Sequence, residues 1–176
     1  MKIVDLEEPL FVVDKNNKPF KPLKRGEVHG FGIWHRTAHV WVFDGRGNIL
    51  CHQRSLNKDS SLGQWAAIFG GHLDPSETNE HAAIRELFEE ASIKVAISDL
   101  KPELIYRMHT SNDYNNEFQA VFSTTWVGDE SKLVFDTNEV SFIEWLPIEE
   151  VLEHFEQNDA NWSICGYEAD LLKSKL

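Results

Sequence analysis

Glu77, Arg85, Glu86, Glu89 and Glu90 stand close together in GGHLDPSETNEHAAIRELFEEAS, the stretch from Gly70 to Ser92 that opens on a Gly-Gly pair. On a helix advancing about 100° per residue, positions 86, 89 and 90 fall at i, i+3 and i+4, so their carboxylates can converge on one point. Like charges at these spacings repel by about a few tenths of a kcal/mol per pair, and no lysine is interleaved to relieve them. Hard divalent cations such as Mg²⁺ bind carboxylate oxygens and remove that repulsion. A solvated acidic face is the competing reading of the same residues. Against it stands the wider spacing, in which Gly71 precedes Glu77 by six positions and Glu77 precedes Arg85 by eight.

These groups need a helix and a sheet to hold them. Between Glu80 and Ala91 the residues Ala83, Ile84, Leu87, Phe88 and Ala91 form one apolar stripe at helical spacing, which predicts a helix with that stripe toward the core and the glutamates opposite. LFVVDKNNKPF predicts a hairpin at about residues 10–21 around KNNK. HVWVF, the turn DGRGN and ILCHQR predict a second hairpin, because Gly and Asn supply the positive φ that tight turns demand. QWAAIF, LIYRMHT, EFQAVFSTTWV and FIEWL are further candidate strands. PIEEVLEHF, with Pro147 suited to a first helical turn, and CGYEADLLKSKL are candidate helices. The sum is a mixed β-sheet with about three helices, an α/β (α+β) domain layered as an α/β/α sandwich.

The 176 residues, 41% of them hydrophobic, are enough for one domain with a sizeable core, and no repeat or Gly/Ser linker divides them, so residues 1–176 read as a single unit. Lys and Arg total 17 against 29 Asp and Glu, a formal net charge of −12. That charge opposes binding to long nucleic acids and to anionic membrane surfaces, while a small phosphorylated substrate can enter in the company of a cation. Cys51 and Cys165 make no disulfide framework, and MKIVDLEEPLF has no long apolar run, so a cytoplasmic setting is the expectation. The sequence leaves the oligomeric state, a homodimer included, open.

Gly71, Glu77, Arg85-Glu86-Leu87, Glu89-Glu90 and Ile93 resemble the Nudix box, G-x5-E-x7-R-E-U-x-E-E-x-G-U with U bulky and aliphatic, over residues 71–93. Ser92 stands where that family has the glycine that ends the helix in a left-handed conformation. The resemblance implies a loop-helix-loop that holds Mg²⁺ or Mn²⁺ against the diphosphate of a nucleoside diphosphate linked to a group X. It implies Glu86, Glu89 and Glu90 as ligands with help from the Gly70 carbonyl, and a structural pairing of Arg85 with Glu77. The bound cation would neutralise phosphate oxygens and acidify a water, with Glu89 taking its proton.

More of the chain is similar to one Nudix branch, that of isopentenyl diphosphate isomerase. EVHGFGIWHRTAHVWVFDGRGNILCHQRSLNKDSSLGQW, NNEFQAVF, IEWLPIEEVLEHF and the NWS at Trp162 carry this likeness over nearly the full length. It implies that His35, His72 and Glu117 match members of the isomerases' histidine-rich metal site, and that Arg54 and Lys58 match residues holding the diphosphate. The departures point to hydrolysis. Gly70 stands where the isomerases place a catalytic cysteine, Asn115 stands where they place a second carboxylate, and all three glutamates of the box are kept. The expected activity is therefore a metal-dependent Nudix pyrophosphohydrolase, with an isopentenyl diphosphate isomerase or a non-catalytic Nudix ligand-binding module as alternatives. His35, also a candidate substrate-binding residue with His72, and His39 divide evenly between substrate contacts and structural ones, Trp65 reads as core before base-stacking platform, and Cys51 reads as a buried small residue.

Overall fold

The computed structural model describes residues 5–57, 61–111, 115–164 and 167–176, so Lys58 and Cys165 lie outside the described residues. Its elements run β1 (Pro9–Leu10), β2 (Leu23–Lys24), α1 (Arg25–Gly30), β3 (His35–Phe43), β4 (Asn48–Arg54), β5 (Trp65–Ala66), β6 (Phe69–His72) and α2 (Asn79–Ala91). They continue with β7 (Lys101–Ser111), β8 (Asn115–Thr125), β9 (Val140–Pro147), α3 (Ile148–Glu156) and α4 (Glu168–Lys173).

The centre of the mixed sheet is β3, which pairs in parallel with β8 from His35 opposite Glu117 to Phe43 opposite Thr125. β7 adds antiparallel to β8. The second predicted hairpin forms at DGRGN, where Gly45 and Gly47 take φ of 74° and 98° and the Asp44 carboxylate accepts from the Arg46 and Asn48 amides. It is held by a single residue pair, Phe43 with Ile49, after which the two strands splay. β4 pairs with β9 and β5, while β6 takes the vacated edge of β3 from Thr37 opposite His72 to Val40 opposite Phe69. QWAAIF is therefore two strands rather than one, because its halves serve the two splayed partners.

Alternation along the strands explains the layers. Ala38, Val40, Val42, Leu50, Phe69, Ala120 and Phe122 point to one face and pack on Ala82, Ala83, Leu87 and Ala91 of α2. Trp41, Ile49 and Cys51 point to the other and pack on Val151, Leu152 and Phe155 of α3, on Leu172 of α4 and on Trp162. This is the α/β/α sandwich expected. Helix α3 begins at Ile148, not at Pro147, which closes β9 and serves as N-cap.

Two features depart from expectation. Helix α1 was not legible because RGEVHG carries two glycines, yet Glu27 reaches back to the Lys24 amide at 3.3 Å and Val28 is fully buried. The apolar stripe of α2 is also narrower than its pattern. Phe88 is 43% exposed, under the Lys94 ammonium, whereas Glu90 is only 4% exposed. Small alanines let α2 approach β6 closely, and that rotation carries Glu90 inward with them. The N-terminal hairpin spans residues 9–24 with β1 paired to β2, and Arg36 fastens it to the sheet. The guanidinium lies 4.7 Å from the Phe11 ring centre and 4.9 Å from that of Tyr106, and it donates to the Asn17 side chain and carbonyl.

Thr78 caps the start of α2 by accepting from the His81 amide, and Ser92 ends the helix at φ 55°, ψ 21° with its amide bonded to the Phe88 carbonyl at 2.8 Å. Serine thus adopts the left-handed turn that glycine adopts without strain. Ser92→Gly is expected to stabilise the protein by about 0.5–1 kcal/mol and to raise the thermal midpoint by about 1–4 °C. A lowered midpoint in calorimetry would show that the serine side chain contributes more than the strain removes.

Candidate active site

Strand β6 carries the Gly-Gly pair, and neither glycine has room for a side chain. A Cβ on Gly71 would lie 2.5 Å from Glu86 Oε1, so the carboxylate occupies the space directly over this residue. A Cβ on Gly70 would lie 2.2 Å from the Ala38 carbonyl oxygen and 2.9 Å from the His39 ring. Across the gap the Gly70 amide donates to Glu90 Oε2 at 3.2 Å, giving that buried carboxylate a fixed donor.

Arg85 organises the rest of the acidic group. Its Nε and Nη2 bond the two oxygens of Glu77 at 2.8 and 2.9 Å, the bidentate geometry that favours arginine over lysine. Nη1 reaches Glu86 at 2.7 Å and Glu89 at 3.4 Å, and Nη2 also donates to the His72 carbonyl at 2.9 Å. Glu77 accepts in addition from the Asp74 amide, so the loop before α2 is tied to the helix by one guanidinium. Burial alone would raise the Glu77 carboxyl, but these donors hold it below its ordinary value of 4.5. The expected pairing of Arg85 with Glu77 is present. Glu86 bonds Arg85, Glu90 accepts from the Gly70 amide, and Glu89 is the most open of the three, with 54% of its side chain exposed.

Among the described residues, His29, His35 and His72 converge as potential metal ligands, each offering a nitrogen within 4.8 Å of the others. His29 Nε2 and His72 Nε2 are 3.1 Å apart, and His72 Nδ1 faces the Arg25 guanidinium at 3.4 Å. His35 Nδ1 is fixed by the Ile33 carbonyl, leaving Nε2 toward Glu117 Oε1 at 3.7 Å. Burial pushes His72 well below the usual imidazole range, with His35 and Arg25 adding to the effect. Burial opposes ionisation of Glu117, but His35 and His72 hold its carboxyl far below the usual range. Three imidazole nitrogens beside a carboxylate are a donor set that a divalent transition metal takes, so these residues fit such an ion.

His35, His72 and Glu117 are thus brought together as the sequence suggested, joined by His29, which was missed because it sits in the glycine-rich α1. Register places His35, His72 and Glu117 on the face of β3, β6 and β8 opposite the one covered by α2. Glu117 accordingly belongs to the histidine group and not to the glutamates of α2. Arg54 lies at the end of β4, beside a register shift opposite Val140. His39 packs beside Gly70 and bonds the Tyr167 hydroxyl at 3.1 Å. Trp65 stacks on Trp162 at 6.1 Å, and Cys51 is fully buried with its thiol pushed up by burial and by nearby Glu168.

The brace and the glycines can be tested separately. Arg85→Ala should cost about 1–3 kcal/mol, and Glu77→Gln should lose a similar amount at neutral pH. Because the folded carboxyl lies below 4.5, its stabilisation is complete above about that pH and is lost as pH falls through the folded value, so the glutamine variant should show a shallower decline in acid. Parallel decline of both proteins in pH-dependent denaturant titrations would refute the pairing. Gly70→Ala should destabilise by about 1–3 kcal/mol, since a backbone oxygen must move, whereas Gly71→Ala should mainly displace the flexible end of Glu86. Thermal midpoints of the two variants check the contrast.

Comparison with known proteins matches this architecture. The NUDIX domain family model covers residues 33–164. Isopentenyl-diphosphate Delta-isomerase of Burkholderia multivorans is 32% identical over 151 residues, covering 84% of this chain and 82% of that protein. Nudix hydrolase 3 of Arabidopsis thaliana is 33% identical over 142 residues, 77% of this chain, but the match spans only 18% of that longer protein. Among solved structures, DR0079 from Deinococcus radiodurans superposes with a TM-score of 0.69 over 95% of this chain and 98% of its own, at 21% identity, which speaks for the fold. With its box built on β6 and α2 and the family model matched over most of its length, the chain belongs to the NUDIX domain family.

Proposed function

We propose that this protein is a divalent-cation-dependent pyrophosphohydrolase of a small organic diphosphate, such as a nucleoside diphosphate linked to a group X. The observation that carries this reading is the Gly70–Gly71 wall. Isomerisation of an alkene needs an acid and a base on opposite sides, and the position where a thiol would supply one of them is a glycine packed against the Ala38 carbonyl and the His39 ring. The acidic group meanwhile keeps every glutamate of the box, a set of repelling charges that a mere binding module has no physical need to retain.

A bound Mg²⁺ or Mn²⁺ would neutralise phosphate oxygens and lower the pKa of a water. The chain's own residues then divide the remaining tasks. Glu86 and Glu90 flank the Gly-Gly backbone, Arg85 keeps their helix against the loop through Glu77 and the His72 carbonyl, and Glu89 is exposed enough to accept the water's proton. The net charge of −12 disfavours a polyanionic substrate without its cation.

One observation favours isomerisation as the second reading, namely the His29, His35, His72 and Glu117 group together with the match to an isomerase. A Mg²⁺-supplemented screen of nucleoside diphosphates and triphosphates, nucleotide sugars, dinucleoside polyphosphates and prenyl diphosphates separates the two. Released phosphate or nucleotide is the expected result, with Glu89→Gln lowering kcat by about 10²–10⁴-fold. Deuterium entering the allylic positions of isopentenyl diphosphate in D₂O, read by proton NMR, would overturn the assignment.

A further inference from the structure

Glu117 is gripped from both sides along its own strand. Asn115 Nδ2 donates to Oε1 at 2.9 Å and Gln119 Nε2 donates to Oε2 at 2.8 Å, so residues at i−2 and i+2 on one sheet face fix the carboxylate plane. Only the nitrogen of the Gln119 amide can face an ionised carboxylate, which commits Oε1 to a different partner. That oxygen is buried, in a residue only 2% exposed, and has no hydrogen-bond partner among the described residues. Thr37, also 2% exposed, is paired in register with Gln119 on one side and with His72 on the other, and its hydroxyl is in the same position.

Two buried polar atoms on neighbouring strands, both without a protein partner, are the usual setting of one shared internal water. We propose that Gln119 is a positioning residue of the histidine–carboxylate centre, aiming Glu117 at a cation held with His29, His35 and His72, and that Thr37 holds Gln119 in place through a buried water. The inference rests on the fit of the histidine–carboxylate group to a divalent transition metal, whichever reaction the protein catalyses, and extends that centre to residues that touch neither cation nor substrate. Ligand orientation by neighbouring hydrogen bonds is worth about 10–100-fold in metal affinity. Loss of the Gln119 donor leaves Oε2 unheld while Asn115 still holds Oε1, 3.7 Å from His35 Nε2, so the carboxylate plane is free to turn.

The test uses Co²⁺ with the full chain, following affinity by calorimetry, the visible absorption spectrum, and the paramagnetically shifted imidazole N–H resonances that report histidine coordination. Gln119→Met, close in shape but without a donor, should weaken Co²⁺ binding about 10–100-fold and alter the spectrum. Thr37→Val should act in the same direction by a smaller factor, and Thr37→Ser, which keeps the hydroxyl, should match the wild type. A purely structural role would lower the thermal midpoint of the metal-free protein while leaving affinity and spectrum unchanged, and that result overturns the proposal. Should Gln119→Met not fold, the valine and serine variants of Thr37 decide, with equal binding by both overturning it. Absence of shifted imidazole resonances in the wild type would remove the centre itself, whereas hydrolysis is scored independently in the substrate screen.

Discussion

The closeness of β6 to its neighbours is the constraint from which the rest of the site follows. Two successive residues without side chains let the Glu86 carboxylate lie on the backbone of one and the Ala38 carbonyl and His39 ring lie against the other. The same short strand then serves both groups of functional residues. Gly71 faces α2 and its glutamates, while Gly70 and His72 face the histidines. A strand of larger residues would hold α2 away from the sheet, and neither the Gly70 amide nor the His72 carbonyl would then reach the side chains that use them.

Electrostatics sets how these groups coexist in a chain with so large an acidic excess. Around the site, fixed donors meet the inward-facing carboxylates. Glu90 has the Gly70 amide, Glu77 has Arg85 and the Asp74 amide, and Glu117 has two side-chain amides and His35. Arg85 is the hinge of this arrangement, because one planar guanidinium bonds the loop, the helix and the backbone of β6 together. On the opposite face burial, with His35 and Arg25 adding to it, holds His72 well below the usual imidazole range, which keeps its nitrogens available to a metal.

The splaying of β3 from β4 makes room for all of this. After Phe43 and Ile49 the hairpin gives up its ladder, and β6 inserts beside β3 while β4 turns to β9 and β5. A hairpin that stayed paired to its end would leave β6 without an edge and the Gly-Gly pair without a wall.

Local rules sufficed for much of this molecule. The α/β/α layering and helices α2 and α3 follow from spacing and alternation, while the Arg85–Glu77 pairing and the association of His35, His72 and Glu117 were implied by the resemblance to the Nudix family. What those rules could not supply were facts of distance in space. The burial of Glu90 and exposure of Phe88 depend on how closely α2 approaches β6, a contact between elements that no periodicity within the helix encodes. His29 lies in a glycine-rich turn of helix whose docking comes from Val28 and from Glu27 rather than from its own propensity. The separation of Glu117 from the glutamates of α2 was decided by strand register, since the parallel pairing of β8 with β3 puts it beside His35 and on the far face of the sheet from α2. Ser92 shows the same division, for it stands where glycine is usual and yet takes the left-handed turn, with the following Ile93 packed into the core.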